Sequence, residues 1–182
     1  MELEIYHKTA ALESVHWWFI GRRGIVKTVL DRLQLSSDAQ ILEVGCGTGG
    51  NFPLLAQYGV VHGMEIDATA RAYASARGIA PVSPGSLPHE IPFANNYYDL
   101  IVMTDVLEHV DEDELSLKNL NLRLKRGGQA FSILTGYSAD TIRQNLSKSE
   151  LARIATVKNV DVVAKALKDI QKFIEEEVDP TL

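Results

Sequence analysis

At 182 residues the chain has room for one domain with a sizeable core plus an appendage, and not for two full domains. Its 46% hydrophobic and 23% charged residues are those of an ordinary globular protein, and a net charge of -6 argues against a broad basic surface for nucleic acid or anionic membrane. One cysteine, Cys46, excludes an internal disulfide framework, fits a reducing compartment and cannot hold a metal by itself.

Met1 to Phe19 carries Glu2, Glu4, His7, Lys8, Glu13 and His16, so it lacks the uninterrupted apolar core of a secretion signal. No segment supplies the roughly 18 consecutive apolar residues that span a bilayer. A cytoplasmic chain is expected, without membrane or nucleic-acid partners. The pattern to Leu12 is mixed, and then His16-Trp17-Trp18-Phe19 gathers both tryptophans of the chain. These rings either anchor a helix by burial or form a lid over a ligand, where aromatic faces would suit a positively charged sulfonium. Arg22 and Arg23 follow, and each either pairs with a ligand carboxylate or stands in solvent.

Ile25, Val26, Val29, Leu30 and Leu33 recur at helical spacing, and the helix they predict ends near Ser36-Ser37-Asp38. Gln40 to Val44 is a short apolar strand suited to the centre of a parallel sheet. Gly45-Cys46-Gly47-Thr48-Gly49-Gly50 then forms a bare-backbone loop, and Asn51 to Tyr58 is compatible with a helix. Strand, glycine loop and helix start in this order form the cofactor side of a Rossmann-like sheet. The alternate glycines depart from the G-x-G-x-x-G spacing that sets a helix terminus against a pyrophosphate, so a dinucleotide is disfavoured.

Val60 to Asp67 is a second strand with Glu65 near its end, about 20 residues past the first glycine, where an acidic group commonly takes ribose hydroxyls. Ala68 to Arg77 is an alanine-rich helix stopped by Gly78, and Ile79 to Ser83 a short third strand. Asp99 to Thr104 is a buried strand, and Asp105, Glu108 and His109 follow where ligands of open parallel sheets bind. Read singly, Asp105 is equally a helix cap, Glu108 a surface charge and His109 a packed ring. Asp111 to Glu114 starts a further helix with Leu115, Leu117, Leu120, Leu122 and Leu124 as its apolar residues. Lys125 and Arg126 sit near its end, Gly127-Gly128 terminates it, and Gln129 to Leu134 is a fifth strand.

Together these pieces resemble the class I S-adenosylmethionine-dependent methyltransferases over roughly the first three-quarters of the chain. ILEVGCGTGG is similar to the family's glycine-rich first motif, GMEID to its second strand with the acidic ribose ligand, and YYDLIVMTDVLEHV to its fourth strand. LRLKRGGQAFSIL is similar to its helix, tight turn and fifth strand, with Arg126 where many relatives have proline. HWWFIGRR resembles the N-terminal helix of a subgroup of small methyltransferases, some associated with polysaccharide or cell-surface glycan pathways.

The resemblance implies an α/β, Rossmann-like three-layer α/β/α sandwich with a mostly parallel sheet. It implies S-adenosylmethionine as cofactor, S-adenosylhomocysteine as product, and no metal. It places Gly45, Gly47 and Gly49 against the methionine part and ribose. Glu43 would orient the methionine amino group, directly or through water, and Glu65 would take the ribose hydroxyls. Ile66 would pack on adenine, with Ser86 and Leu87 at its edge. Ser86 departs from an acidic residue common among relatives. Asp105 and Val106 would line the methionine end, Phe19, Arg22 and Cys46 complete the cofactor set, and His109, with Asp105, is the catalytic candidate facing the acceptor.

The expected organisation is a cofactor domain over 1–136, including an N-terminal helical lid, and a helical extension over 137–182. After Tyr137 the family's last two strands are not recognisable. Ser147 to Glu150 reads as a capping box, and Leu151, Ile154, Val157, Val160, Val163, Leu167, Ile170 and Ile174 form a helical stripe. A weak strand at Val160 to Ala164 is the alternative there. A sheet stopping at its fifth strand leaves an edge for the tail or for a second subunit, giving a homodimer. Two functions follow: methyl transfer to a small-molecule or glycan-linked acceptor, or cofactor binding without catalysis, acting through the tail or as a dimer.

Overall fold

The structure is a computed structural model and describes residues 3–133. The expected 137–182 extension, its capping box, helical stripe and alternative strand, and the homodimer built on them, fall outside the described residues.

Two helices open the chain, α1 (Leu3–Leu12) and α2 (Trp17–Leu30). His16 caps α2, its ring nitrogen accepting from Trp18 N. Then come β1 (Gln40–Val44), α3 (Phe52–Leu55), β2 (Val60–Glu65), α4 (Ala68–Ala76), β3 (Val82–Pro84) and β4 (Tyr98–Thr104). A 3-10 turn at Leu107–His109, α5 (Asp113–Asn121) and β5 (Leu124–Ile133) complete the described fold. The sheet order is β3-β2-β1-β4-β5 and every pairing is parallel, with Glu43 beside Gly63 on one side and Val102 on the other.

Period-two alternation in the strands sends neighbouring side chains to opposite faces. Ile41, Leu100, Val102 and Phe131 join α2, α3 and α4 in one apolar layer. Leu42, Val44, Ile101 and Met103 meet Leu107 and Leu120 in the other. Burial of each such aliphatic side chain contributes about 1.5–3 kcal/mol, so both layers are needed to hold the sheet. The result is the expected α/β/α sandwich with its strand carboxyl ends gathered along one crevice.

Several boundaries differ from the sequence expectation. The mixed N-terminal stretch is helical because α1 packs on α4, with the His7 and Tyr73 rings in contact. The helix after the glycine loop is a single turn, and the third strand is Val82–Pro84, whose proline is tolerated on an edge strand. Lys125, Arg126 and Gly127-Gly128 do not end α5. They lie in β5, where pairing starts at Tyr98 with Leu124 and a register irregularity before Leu100 with Gln129 accommodates Gly127 at φ 84°. Lys125 Nζ donates to Asp99 Oδ2 at 2.8 Å, a strand-end pairing in place of a helix-dipole role.

Candidate functional site

β1 brings Val44 to the cavity wall and buries Glu43 behind it, and the chain then turns through Gly45 at φ 65° and Gly47 at φ 53°. At Gly45 a side chain would lie 2.6 Å from Val106 Cγ2, so the loop and the residue after Asp105 touch only because the Cβ is missing. At Gly47 a side chain would meet nothing within 4 Å, which leaves bare backbone facing open space. Cys46 N donates to Met64 O at 3.1 Å and Gly47 N to Glu65 Oε2 at 2.8 Å, so the loop is tied to β2. Glu65 Oε1 also accepts from Asp67 N at 3.0 Å. Burial, reinforced by Glu43 and Glu65, pushes the Cys46 thiol far up, so it serves as a small apolar wall group.

Behind the loop, Glu43 is 1% exposed and Asn51 Nδ2 donates to its Oε1 at 2.7 Å. The same nitrogen reaches Thr104 Oγ1 at 3.2 Å, joining the ends of β1 and β4 to the start of α3. Burial pushes the Glu43 carboxyl up to about 7, against the opposing influence of Asn51 and Arg22.

The N-terminal helices form the roof. Glu13, 4% exposed, accepts from Thr48 Oγ1 at 2.9 Å and pairs with Arg77, whose Nε donates to Thr48 O at 2.7 Å. Tyr6 and Thr9 on α1, and Glu13 just past its end, all border the same cavity. Burial and the nearby Asp67 and Glu65 raise the Tyr6 phenol. From α2, Arg22 Nη1 donates to Asp105 Oδ2 at 2.5 Å. Its guanidinium carbon lies 4.7 Å above the Trp18 ring centre and 5.6 Å from that of Phe19. Trp18 and Phe19 border the cavity, and the cation on their rings is Arg22.

The open cavity between these elements measures about 1000 Å³. Of the expected site residues, Phe19, Arg22, Gly45, Cys46, Gly47, Glu65, Ile66, Ser86, Leu87, Asp105, Val106 and His109 all line it. Glu43 and Gly49 do not: Glu43 stands behind Asn51, and Gly49 is packed under Phe52 and Ala74. Ile66 is 70% exposed, an apolar face on the cavity rim. Ser86 Oγ donates to Glu90 Oε2 at 3.0 Å, so a carboxylate four residues later stands beside Ser86. Asp105 takes φ 56°, a left-handed conformation that aspartate tolerates better than most residues.

The sequence reading missed Tyr6, Thr9, Glu13, Thr48, Asn51, Thr104 and, as a part-buried group, Glu108. The helical spacing of Tyr6, Thr9 and Glu13 was a usable signal, whereas Asn51 and Thr104 had none beyond proximity to the loop and strand end. Burial raises the Glu108 carboxyl, and its Oε2 is buried without a partner. Among the described residues no group of three or more His, Cys, Asp and Glu could hold a metal, and no helix is long and apolar enough to cross a membrane.

Residues 42–132, half of the chain, match the methyltransferase domain family. Phosphoethanolamine N-methyltransferase 1 of Triticum aestivum is 28% identical over 109 residues, 57% of this chain and 22% of that one, so the chain spans well under half of this curated relative's length. A candidate S-adenosyl-L-methionine-dependent methyltransferase of Methanococcus maripaludis superposes with a TM-score of 0.63 at 18% identity over 93% of this chain and 84% of that one, a likeness of fold. The TehB-like SAM-dependent methyltransferase of Corynebacterium glutamicum gives 0.51 at 27% identity over 62% and 60% of the two chains.

Proposed function

Because the chain belongs to the methyltransferase domain family, we propose that it transfers a methyl group from S-adenosylmethionine to a small-molecule or glycan-linked acceptor. The observation that carries this reading is the single cavity that runs from Ile66, Ser86 and Leu87 past the bare backbone of Gly45 and Gly47 to Asp105, Glu108 and His109. Its chemistry fits the cofactor. The open space at Gly47 admits close approach of a ligand to backbone, and Glu65 stands beside it as a ribose acceptor. The exposed Ile66 and the half-buried Leu87 flank a flat aromatic base, and Arg22 Nε, buried without a partner, can answer a carboxylate.

When bound, the cofactor supplies a methyl group already activated by positive sulfur, so the protein's work is alignment and exclusion of water. Gly45, Cys46 and Val106 form the close-fitting wall at the methionine end. Asp105 fixes Arg22, and the α1–α2 roof covers one side of the cavity. His109, exposed and on the cavity wall, takes the proton of an acceptor hydroxyl.

Formation of S-adenosylhomocysteine with acceptor panels of hydroxyl, amine and glycan type tests the reading. Turnover with one class that falls in His109→Ala while cofactor affinity is retained supports it. Binding of cofactor without turnover on any class would favour a non-catalytic role, and unchanged turnover in His109→Ala would remove that residue from the catalytic set.

A further inference from the structure

Asn51 is held in an unusual way for its position. It is the N-cap residue of α3, where an asparagine side chain ordinarily accepts from the helix's first amides, yet it makes no such bond. Its amide turns instead to Glu43 and Thr104. An ionised carboxylate accepts and does not donate, so with Glu43 ionised the Nδ2 edge faces Glu43 and the Oδ1 edge faces away from it. That oxygen is buried and has no partner, and neither has Glu43 Oε2. Asn51 is 4% exposed, Thr104 is 7% exposed, and both border the cavity.

Buried acceptors without donors are costly, and here two lie within one hydrogen-bonded triad. The guanidinium that influences Glu43, that of Arg22, is engaged by Asp105. The missing complement is a group that only donates and carries positive charge. An ammonium meets both requirements, with three donors and no acceptor.

We propose that Asn51 is the contact residue for the α-ammonium group of the cofactor's amino-acid moiety, with its Oδ1 as acceptor and Glu43 as the positioning residue that orients the amide and supplies the counter-charge. This rests on the S-adenosylmethionine reading above. It relays the Glu43 contact through Asn51, where the resemblance implied one made directly or through water, and accounts for a carboxylate buried outside the cavity wall. A role confined to bracing β1, β4 and α3 would use the Nδ2 edge and leave Oδ1 unexplained.

Calorimetric titration of the full chain with S-adenosylhomocysteine and with its deaminated analogue, the adenosine 5′-thioether bearing a 3-carboxypropyl group, tests this. Wild-type protein should bind the ammonium-bearing ligand at least about tenfold more tightly than the analogue, the size of one hydrogen bond to a charged group. In Asn51→Leu the two affinities should fall within about threefold of each other because only that of S-adenosylhomocysteine drops. Glu43→Gln, isosteric and still able to accept from Asn51, should narrow the gap in the same direction and decides the matter if Asn51→Leu does not fold. A gap unchanged in folded variants would overturn the proposal. Equal wild-type affinities would overturn it while leaving the cofactor reading intact, whereas no binding of either ligand would remove both.

Discussion

Arg22 and Asp105, 83 positions apart in the chain, meet at 2.5 Å and fasten the N-terminal helices to the carboxyl end of β4. Asp105 holds this contact from a left-handed backbone at φ 56°. Asp105→Ala should lose the part-buried ion pair and add backbone strain, lowering stability by about 2 kcal/mol in denaturant unfolding. Asp105→Asn tolerates the backbone and loses only the charge, so its cost should be less than half as large.

Gly50 and Glu13 are a second interlock between roof and loop. A side chain on Gly50 would collide with the Glu13 carboxylate, which the Thr48 hydroxyl and Arg77 hold in place. Gly50→Ala is therefore expected to cost about 1–3 kcal/mol by overpacking. In a Glu13→Ala background the same substitution should cost markedly less. A double-mutant cycle reads this coupling, and additive costs would mean that the two residues do not share the space.

Gly47→Ala separates folding from binding. The backbone at φ 53° makes alanine costly by about 1–2 kcal/mol, but nothing in the fold stands within 4 Å of the added methyl. Thermal unfolding should show that modest loss, while S-adenosylhomocysteine affinity should fall well beyond it because the methyl projects from bare backbone on the cavity wall.

Glu43 makes stability depend on pH in a definite direction. Its carboxyl lies at about 7 in the fold against an ordinary 4.5, so the folded state holds the proton more tightly than the unfolded chain. The associated stability is complete below 4.5 and is lost as pH rises through about 7, a total of roughly 3 kcal/mol. Unfolding measured across that window should show this decline in wild type and a much flatter profile in Glu43→Gln.

The strands and the glycine loop were legible because their patterns are local: short apolar runs, alternate glycines, and an acidic residue at a fixed remove. The methyltransferase resemblance rested on those same runs, and residues 42–132 match that family. What escaped was non-local. Glu13 acquires its role only when α1 packs across Thr48 and Arg77, 35 and 64 residues away. Asn51 looked like a helix residue, and its partners lie on two different strands. Lys125 and the glycine pair carried the usual marks of a helix end, but pairing of β5 with Tyr98 drew them into the sheet. Local preference lost there to sheet registration, a tertiary effect that no short window contains.

Cofactor binding underlies every functional statement about this chain, and calorimetric titration of the full chain with S-adenosylmethionine and S-adenosylhomocysteine tests it most directly. One saturable site for each ligand is expected, with affinity for both reduced in Gly47→Ala. Absence of binding heat for either ligand, in protein shown to be folded, would contradict it.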